Sequence, residues 1–144
     1  MHNLNYKRIL SECDKDISQL IDIYQTPQIS QYIHIDNNYW QYISNTENVY
    51  FYKIYDNNKL IGTTHFEKQN DILFMDILVF PEYQKMGFGT KIIKDIQNDI
   101  FNLNYEKIEI YIDETNISSI KLFENAGFEY LSQNDELINY IYPK

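Results

Sequence analysis

Cysteine occurs once, at Cys13, so the chain can build neither an internal disulfide framework nor a cysteine-based zinc site. Histidine is almost as scarce. His2, His34 and His65 stand at separations that match no metal-ligand spacing, and no metal is expected. Cations are few as well: 12 Lys and Arg against 21 Asp and Glu leave a formal net charge of -9. Holding a phosphate backbone demands clustered Lys and Arg, so nucleic acid is excluded as the main partner. No apolar run approaches the ~20 residues that a membrane helix needs. The start, Met1-His2-Asn3-Leu4-Asn5-Tyr6, has no apolar signal segment, so we expect no membrane association and a cytoplasmic protein. Only 4 Gly and 3 Pro are present, which makes the position of each informative.

What remains is a chain rich in packing residues. At 144 residues, 44% of them hydrophobic and fourteen of them Tyr, residues 1–144 fit one folded domain. A chain of this length buries roughly two-thirds of its unfolded surface in one core. The surplus acid is either a solubility feature or a field that favours cationic amines.

Periodicity gives the order of elements. Tyr6 to Leu10 reads as a strand, followed by a helix carrying Ile17, Leu20, Ile21 and Tyr24 and limited by Pro27. Further helical stretches carry Ile29, Tyr32 and Ile33, and then Tyr39, Trp40, Tyr42 and Ile43 from about Asn38. Asn48 to Lys53 and Leu60 to Glu67 are β-rich runs joined by Asp56-Asn57-Asn58-Lys59, an antiparallel hairpin. Lys68-Gln69-Asn70-Asp71 turns the chain into an apolar strand, Ile72 to Phe80. A helix from about Phe88 to near Asn104 presents Ile92, Ile93, Ile96 and Ile100 on one face, and Lys107 to Asp113 alternates as a strand parallel to the previous one. Thr115-Asn116 caps a helix with Ile117, Ile120, Leu122 and Phe123, ended by Gly127. Phe128 to Ser132 and Glu136 to Tyr142 close the chain as strands. The fold class is α/β, a mixed and mostly antiparallel sheet around one central parallel pair.

Residues 72–103 organise the rest. The strand leads through Pro81-Glu82-Tyr83 into Gln84-Lys85-Met86-Gly87-Phe88-Gly89-Thr90 and straight into a helix. First-turn amides, a glycine backbone that admits close approach and the positive end of a helix dipole make this a phosphate cradle. Spacing sets two such cradles aside. The Rossmann fingerprint wants its glycines directly after the strand and a small residue where Ile92 stands. The P-loop wants four residues between its glycines and Lys-Ser/Thr after the second, but here one residue intervenes and Thr90-Lys91 is reversed.

Gln84, Gly87 and Gly89, set between strand and helix, resemble the Q/R-x-x-G-x-G/A signature of the GNAT superfamily of acyl-CoA N-acyltransferases. Asn116 to Phe128 resembles a second segment of that superfamily, N-x-x-[AS]-x-x-[LF]-[YF]-E-x-x-G-F. The resemblance implies helices on both sheet faces, acetyl-CoA as cosubstrate and a small-molecule amine as acceptor. It implies that the backbone of Ile77, Leu78 and Val79 pairs with pantetheine like an added strand, where the two parallel strands splay apart. It further implies that the amides of Lys85, Met86, Gly87, Phe88, Gly89 and Thr90 hold the pyrophosphate, aided by Lys85, Lys91 and Lys121. Gln84, Asn116 and Phe123 fall at cofactor-binding positions, with a plain helix cap as the other role for Asn116. A homodimer formed through a sheet edge is compatible with the resemblance.

The implied reaction is attack of a neutral amine on the thioester, with a backbone amide near Val79 meeting the oxyanion of the tetrahedral intermediate. An alkyl amine of pKa near 10.4 costs about 4–5 kcal/mol to deprotonate at pH 7, so a base is useful. Here the chain departs from its relatives. Phe123 stands where many carry a Tyr general acid, and Tyr111 and Leu73 stand where others carry a catalytic Glu. Asp76, a carboxylate in an otherwise apolar strand, either serves structure or is a candidate base, its pKa raised by burial. Tyr111 either donates to sulfur, binds substrate or packs. His65, Glu67 and His34 are candidates for the acceptor site. The alternatives are a protein N-terminal or lysine acetyltransferase, and a CoA-binding sensor without turnover.

Overall fold

A computed structural model describes residues 3–143, so Met1, His2 and Lys144 lie outside it. Its elements in chain order are β1 (Leu4–Arg8), α1 (Ile17–Tyr24), α2 (Pro27–Ser30), α3 (Tyr39–Asn45), β2 (Val49–Asp56), β3 (Lys59–Gln69) and β4 (Ile72–Val79). A 3-10 turn at Pro81–Tyr83 leads to α4 (Phe88–Gln97), β5 (Lys107–Asp113), α5 (Ile117–Asn125), β6 (Glu129–Asn134) and β7 (Leu137–Pro143). The strands form one 7-stranded sheet in the order β1-β2-β3-β4-β5-β7-β6. Among the described residues only β4 and β5 pair in parallel, and every other neighbour is antiparallel. The mixed sheet with its central parallel pair is as the element order led us to expect.

Strand alternation sorts the side chains onto two faces, and each face has its own core. Ile54, Phe66, Leu73, Met75, Ile108, Ile110 and Ile112 point to one side, where Phe88, Ile92, Ile93 and Ile96 of α4 and Phe123 of α5 cover them. Val49 and Phe51 point to the other, under Ile17, Leu20 and Tyr24 of α1 and Trp40 and Ile43 of α3. Helices therefore flank both faces, with α1 and α3 over Val49 and Phe51 of β2. Lys53 helps hold α1 in place. Buried in β2, it sits 2.9 Å from Asp14 and 2.7 Å from Asp16. Among the described residues no helix is long and apolar enough to cross a membrane.

Several boundaries differ from the sequence reading, each for a local reason. The α4 helix stops at Gln97 rather than near Asn104. Asp99 takes a left-handed φ of 51°, and the amides of Asp99 and Ile100 bond back to the carbonyls of Ile96 and Asp95. This is a Schellman ending with Asp in the glycine position. The Asp99 carboxylate then accepts from the amides of Leu103 and Asn104, which drives a turn where Ile100 is left 52% exposed. The first strand is Leu4–Arg8, and Leu10 is 69% exposed. The second helix ends at Ser30, so Tyr32 and Ile33 lie in the connection that follows. Pro27 does not merely limit α1 but occupies the first turn of α2, where its missing N–H costs nothing. β2 and β3 extend beyond the expected runs, to Asp56 and Gln69, because Asn57 and Asn70 absorb the tight turns with φ of 56°.

Candidate active site

The site follows from where two strands stop pairing. β4 and β5 are in register only at Ile72↔Lys107, Leu73↔Ile108 and Phe74↔Glu109. Beyond that point β4 stays bonded to β3 as far as Val79, and β5 stays bonded to β7 as far as Asp113. The two half-sheets diverge and a wedge opens between them. In an antiparallel ladder alternate residues direct both backbone groups to the same neighbour. Phe80 N donates to Ile61 O on β3 at 2.9 Å, so Leu78 and Asp76 also face β3. By the same alternation, Ile77 and Val79 direct their N–H and C=O into the wedge, where β5 no longer pairs with them. An extended ligand finds there a strand edge ready for main-chain hydrogen bonds.

The loop after β4 has the geometry of an anion cradle. Lys85 and Gly87 both take left-handed φ, 62° and 86°, and Gly87 is the N-cap of α4. Lys91 is the first amide to find an intrahelical acceptor, Gly87 O at 3.2 Å, which leaves the Gly89 and Thr90 amides at the positive end of the helix without one. Gln84 is differently employed: its side-chain Nε2 donates to Val79 O at 3.0 Å and fixes the loop to the strand end. Lys85 and Met86 are exposed on the loop, whereas Phe88 is buried beneath it. Lys91 pairs with Asp95 at 2.8 Å, while Tyr6 donates to the other oxygen of that buried carboxylate at 2.6 Å.

On the open face of the wedge, β3, β4 and β5 enclose a cavity of ≈ 130 Å³. His65 and Glu67 on β3, Asp76 on β4, and Glu109 and Tyr111 on β5 form its polar wall. Phe74 lies on the same face, while Met75 and Ile110, whose side chains point to the α4 face, line it through their backbone. The sequence candidates Asp76, Tyr111, His65 and Glu67 thus meet in one place, and His34 does not join them. A larger hollow of ≈ 400 Å³ lies at the closed end of the β4–β5 pair, between Asp71, Glu106 and Pro143. The strands are still paired there and expose no edge, so we place the site at the wedge.

Each polar group in the cavity has a distinct environment. Solvent reaches Asp76, yet protein atoms crowd it on the remaining sides. That desolvation lifts its carboxyl above the ordinary range, while the His65 ring acts downward and Glu67 upward. Among the described residues no side chain donates to the Asp76 carboxylate. Glu67 is saturated by contrast, with His65 Nε2 at 2.9 Å from one oxygen and Tyr42 donating to the other at 2.8 Å. Tyr39 lies 2.7 Å from His65 Nδ1. Glu109 is buried and receives Asn139 Nδ2 at 3.2 Å, with Lys107 Nζ at 3.4 Å. Tyr111, on the same strand face, is 52% exposed.

The second motif also acquires a physical account. Asn116 caps α5 by accepting from Ser119 N at 3.4 Å. At the other end Gly127, φ 93°, donates to Glu124 O, and Phe128 N donates to Phe123 O. This is a second Schellman ending, and its usual hydrophobic contact is the edge-to-face pair of Phe123 and Phe128 at 5.1 Å. Phe123 is thereby buried in the core under α5. Lys121 is exposed on the opposite side of that helix.

A family model described as Acetyltransferase (GNAT) family matches residues 16–128. The chain belongs to the GNAT acetyltransferase family. Solved structures agree on the fold of this GNAT acetyltransferase, at identities that speak for the fold alone. A domain from Methanocaldococcus jannaschii DSM 2661 matches with TM-score 0.83 and 22% identity, over 100% of both chains. The spermidine N-acetyltransferase from Vibrio cholerae, solved with CoA and spermine, matches with TM-score 0.82 and 16% identity, over 97% of this chain and 95% of that one. The Campylobacter jejuni N-acetyltransferase PseH, solved with acetyl coenzyme A, matches with TM-score 0.78 and 11% identity, over 99% of each chain. No curated protein sequence matches the chain.

The sequence reading did not include Glu109, which lines this cavity, or Tyr39 and Tyr42, which bond to its His65 and Glu67. Glu109 was within reach: two residues before Tyr111 on a strand, it shares the same face. The two tyrosines come from α3, and only the packing of that helix on β2 and β3 brings them to His65.

Proposed function

We propose that this chain is an acetyl-CoA-dependent N-acetyltransferase whose acceptor is the primary amine of a small cationic molecule. The observation that carries the reading is the unpaired Asp76 carboxylate, set in the wedge between β4 and β5 beside an unpaired backbone edge. Three carboxylates and no Lys or Arg line the cavity, so an ammonium ion is drawn in and an anionic acceptor is repelled.

Acetyl-CoA supplies the acyl group as an activated thioester. The strand edge at Ile77 and Val79 fits its extended pantetheine arm, and the left-handed Lys85 and Gly87 with the first-turn amides of α4 fit its pyrophosphate. Asp76 accepts the proton that the ammonium must lose. The Val79 amide, aimed into the wedge, polarises the carbonyl. Tyr111, on the facing strand, donates its hydroxyl proton to the departing thiolate and regains one from the substituted ammonium as the tetrahedral intermediate collapses to the amide. Buried in the α5 core, Phe123 takes no part in proton transfer.

Release of free thiol from acetyl-CoA across a panel of polyamines, aminoglycosides, amino acids and peptides tests the reading. Amine-dependent release with a cationic small molecule is expected. Release with peptides alone would move the acceptor to a protein amine, and tight binding of acetyl-CoA without any release would make the chain a sensor.

The cradle has its own check. Gly87→Glu forces a side chain into a left-handed φ of 86° and places a negative charge beside the pyrophosphate position. Affinity for acetyl-CoA, read by calorimetry, is expected to fall about 10-fold to 100-fold. An unchanged affinity would place the pyrophosphate elsewhere.

A further inference from the structure

The cavity on the open face occupies one definite place in the wedge. On β4 it is lined by Phe74, Met75 and Asp76, and on β5 by Glu109, Ile110 and Tyr111. Phe74↔Glu109 is the last couple that the two strands form, so the cavity lies at the apex, where the gap between them begins. The anion cradle at 85–90 follows the other end of β4. A donor held there by its pyrophosphate runs its arm back along the Ile77–Val79 edge, and its acyl end leads into the apex. From Asp76, where the amine loses its proton, to Phe74 is two residues, a rise of about 7 Å.

Two side chains close that apex. Phe74 and Glu109 stand two residues before Asp76 and Tyr111 and so project from the same face. Glu109 is 8% exposed and held in place: Asn139 Nδ2 donates to one oxygen at 3.2 Å, and Lys107 Nζ lies 3.4 Å from the other. Asn139 is itself 7% exposed. The reverse orientation of its amide would set two acceptors against each other, so its NH2 group turns to Glu109. Its Oδ1 is thereby buried without a hydrogen-bond partner among the described residues. The fold bears the cost of that orphaned acceptor while the carboxylate stays pinned at the apex.

Both residues bear on the acyl chain. The Phe74 ring limits its length. A longer aliphatic tail would also have to lie against the Glu109 carboxylate, shutting it off from the remaining solvent and offering no donor in return. An anionic tail would face Glu109, Glu67 and Asp76 together.

We propose that Phe74 and Glu109 form the floor of the acyl subsite and limit the donor to short, uncharged acyl groups, acetyl or propionyl. The inference deepens the reading of the wedge as the acetyl-CoA site and rests on it.

Binding of acetyl-, propionyl-, hexanoyl- and succinyl-CoA to the intact chain, read by calorimetry, tests it without any acceptor. Were the apex an open apolar tunnel, four more methylenes would make hexanoyl-CoA on the order of 100-fold tighter than acetyl-CoA. The floor predicts the reverse. Hexanoyl- and succinyl-CoA are expected to bind about 10-fold more weakly than acetyl-CoA or worse, and propionyl-CoA within about 4-fold of it. Phe74→Ala removes the ring, and the hexanoyl-to-acetyl affinity ratio should rise about 10-fold. Glu109→Gln keeps the shape and the bond from Asn139, and the succinyl-to-acetyl ratio should rise by about the same factor. General damage to the fold would weaken every acyl-CoA together and leave both ratios where they were.

Hexanoyl-CoA bound as tightly as acetyl-CoA by the wild type, or ratios unmoved in the two variants, would overturn the floor. A ratio unmoved in one variant alone would remove that residue from it. Sound binding without amine-dependent thiol release would instead overturn the transferase reading and leave the floor standing, and failure of every acyl-CoA to bind would remove the donor site and the floor together.

Discussion

Gly62→Ala is expected to cost about 3 kcal/mol of stability, seen as a lower urea midpoint, and to weaken acetyl-CoA binding at the same time. Gly62 is buried on β3 opposite Val79, at one of the close, non-hydrogen-bonded pairs of the ladder. A Cβ there would lie 2.2 Å from the Leu78 carbonyl oxygen and 3.3 Å from Val79 Cα. Both neighbours are backbone, so no rotamer change relieves the contact and β4 itself must shift. The segment that shifts is Ile77 to Val79, whose free edge we assign to pantetheine. Loss of stability and loss of affinity therefore share one cause.

Gly89→Ala is the contrast. Its Cβ would meet Leu122 Cδ2 at 2.8 Å, the far end of a flexible side chain, and alanine favours the helix. The two effects nearly offset, and a stability change within about 1 kcal/mol is expected. Should Gly62→Ala prove as mild as Gly89→Ala, the close approach of β3 to β4 is not what shapes the wedge.

These two glycines also show what the sequence made legible. Gly89 stood inside a motif, and its role in a strand-loop-helix unit could be read from spacing. Gly62 stood in a β-rich run, where an isolated glycine signals a close backbone approach, but nothing in the run names the strand that approaches. The order of elements was legible because hydrophobic period and turn residues are local properties. Element ends were less so. Asp99 closed α4 in a left-handed conformation that glycine usually takes, and no pattern distinguishes such an Asp from one on a solvated face. The donor half that we propose lies on one continuous segment, 77–90, which spacing along the chain can single out. The acceptor half that we propose draws Tyr39 and Tyr42 from α3, His65 and Glu67 from β3, and Glu109 and Tyr111 from β5. Their meeting depends on strand order and helix placement, which spacing along the chain does not encode.

Asp76→Asn separates chemistry from architecture most sharply. If Asp76 takes the proton of the amine, its amide replacement should lower kcat/KM by about 10²- to 10⁴-fold, the usual worth of a positioned base. The loss should shrink as pH rises toward the pKa of the acceptor amine, because less of the acceptor then needs a base. Stability should move the other way. The folded-state pKa of Asp76 is raised, so the native protein binds more protons than the unfolded chain between the ordinary carboxylate value and the raised one. Stability conferred by the protonated form is present below that window and is lost as pH climbs through it. At pH 7 the wild type carries an unpaired carboxylate that protein atoms crowd on all but its solvent side, and the neutral amide removes that burden. Thermal denaturation should thus show Asp76→Asn melting above the wild type at pH 7 and the gap closing near pH 3, where Asp76 is protonated in both states. A structural carboxylate would give the opposite pattern, a variant less stable at pH 7 with its activity nearly intact. A gain in stability joined to a loss of turnover is what a charge kept for catalysis should produce.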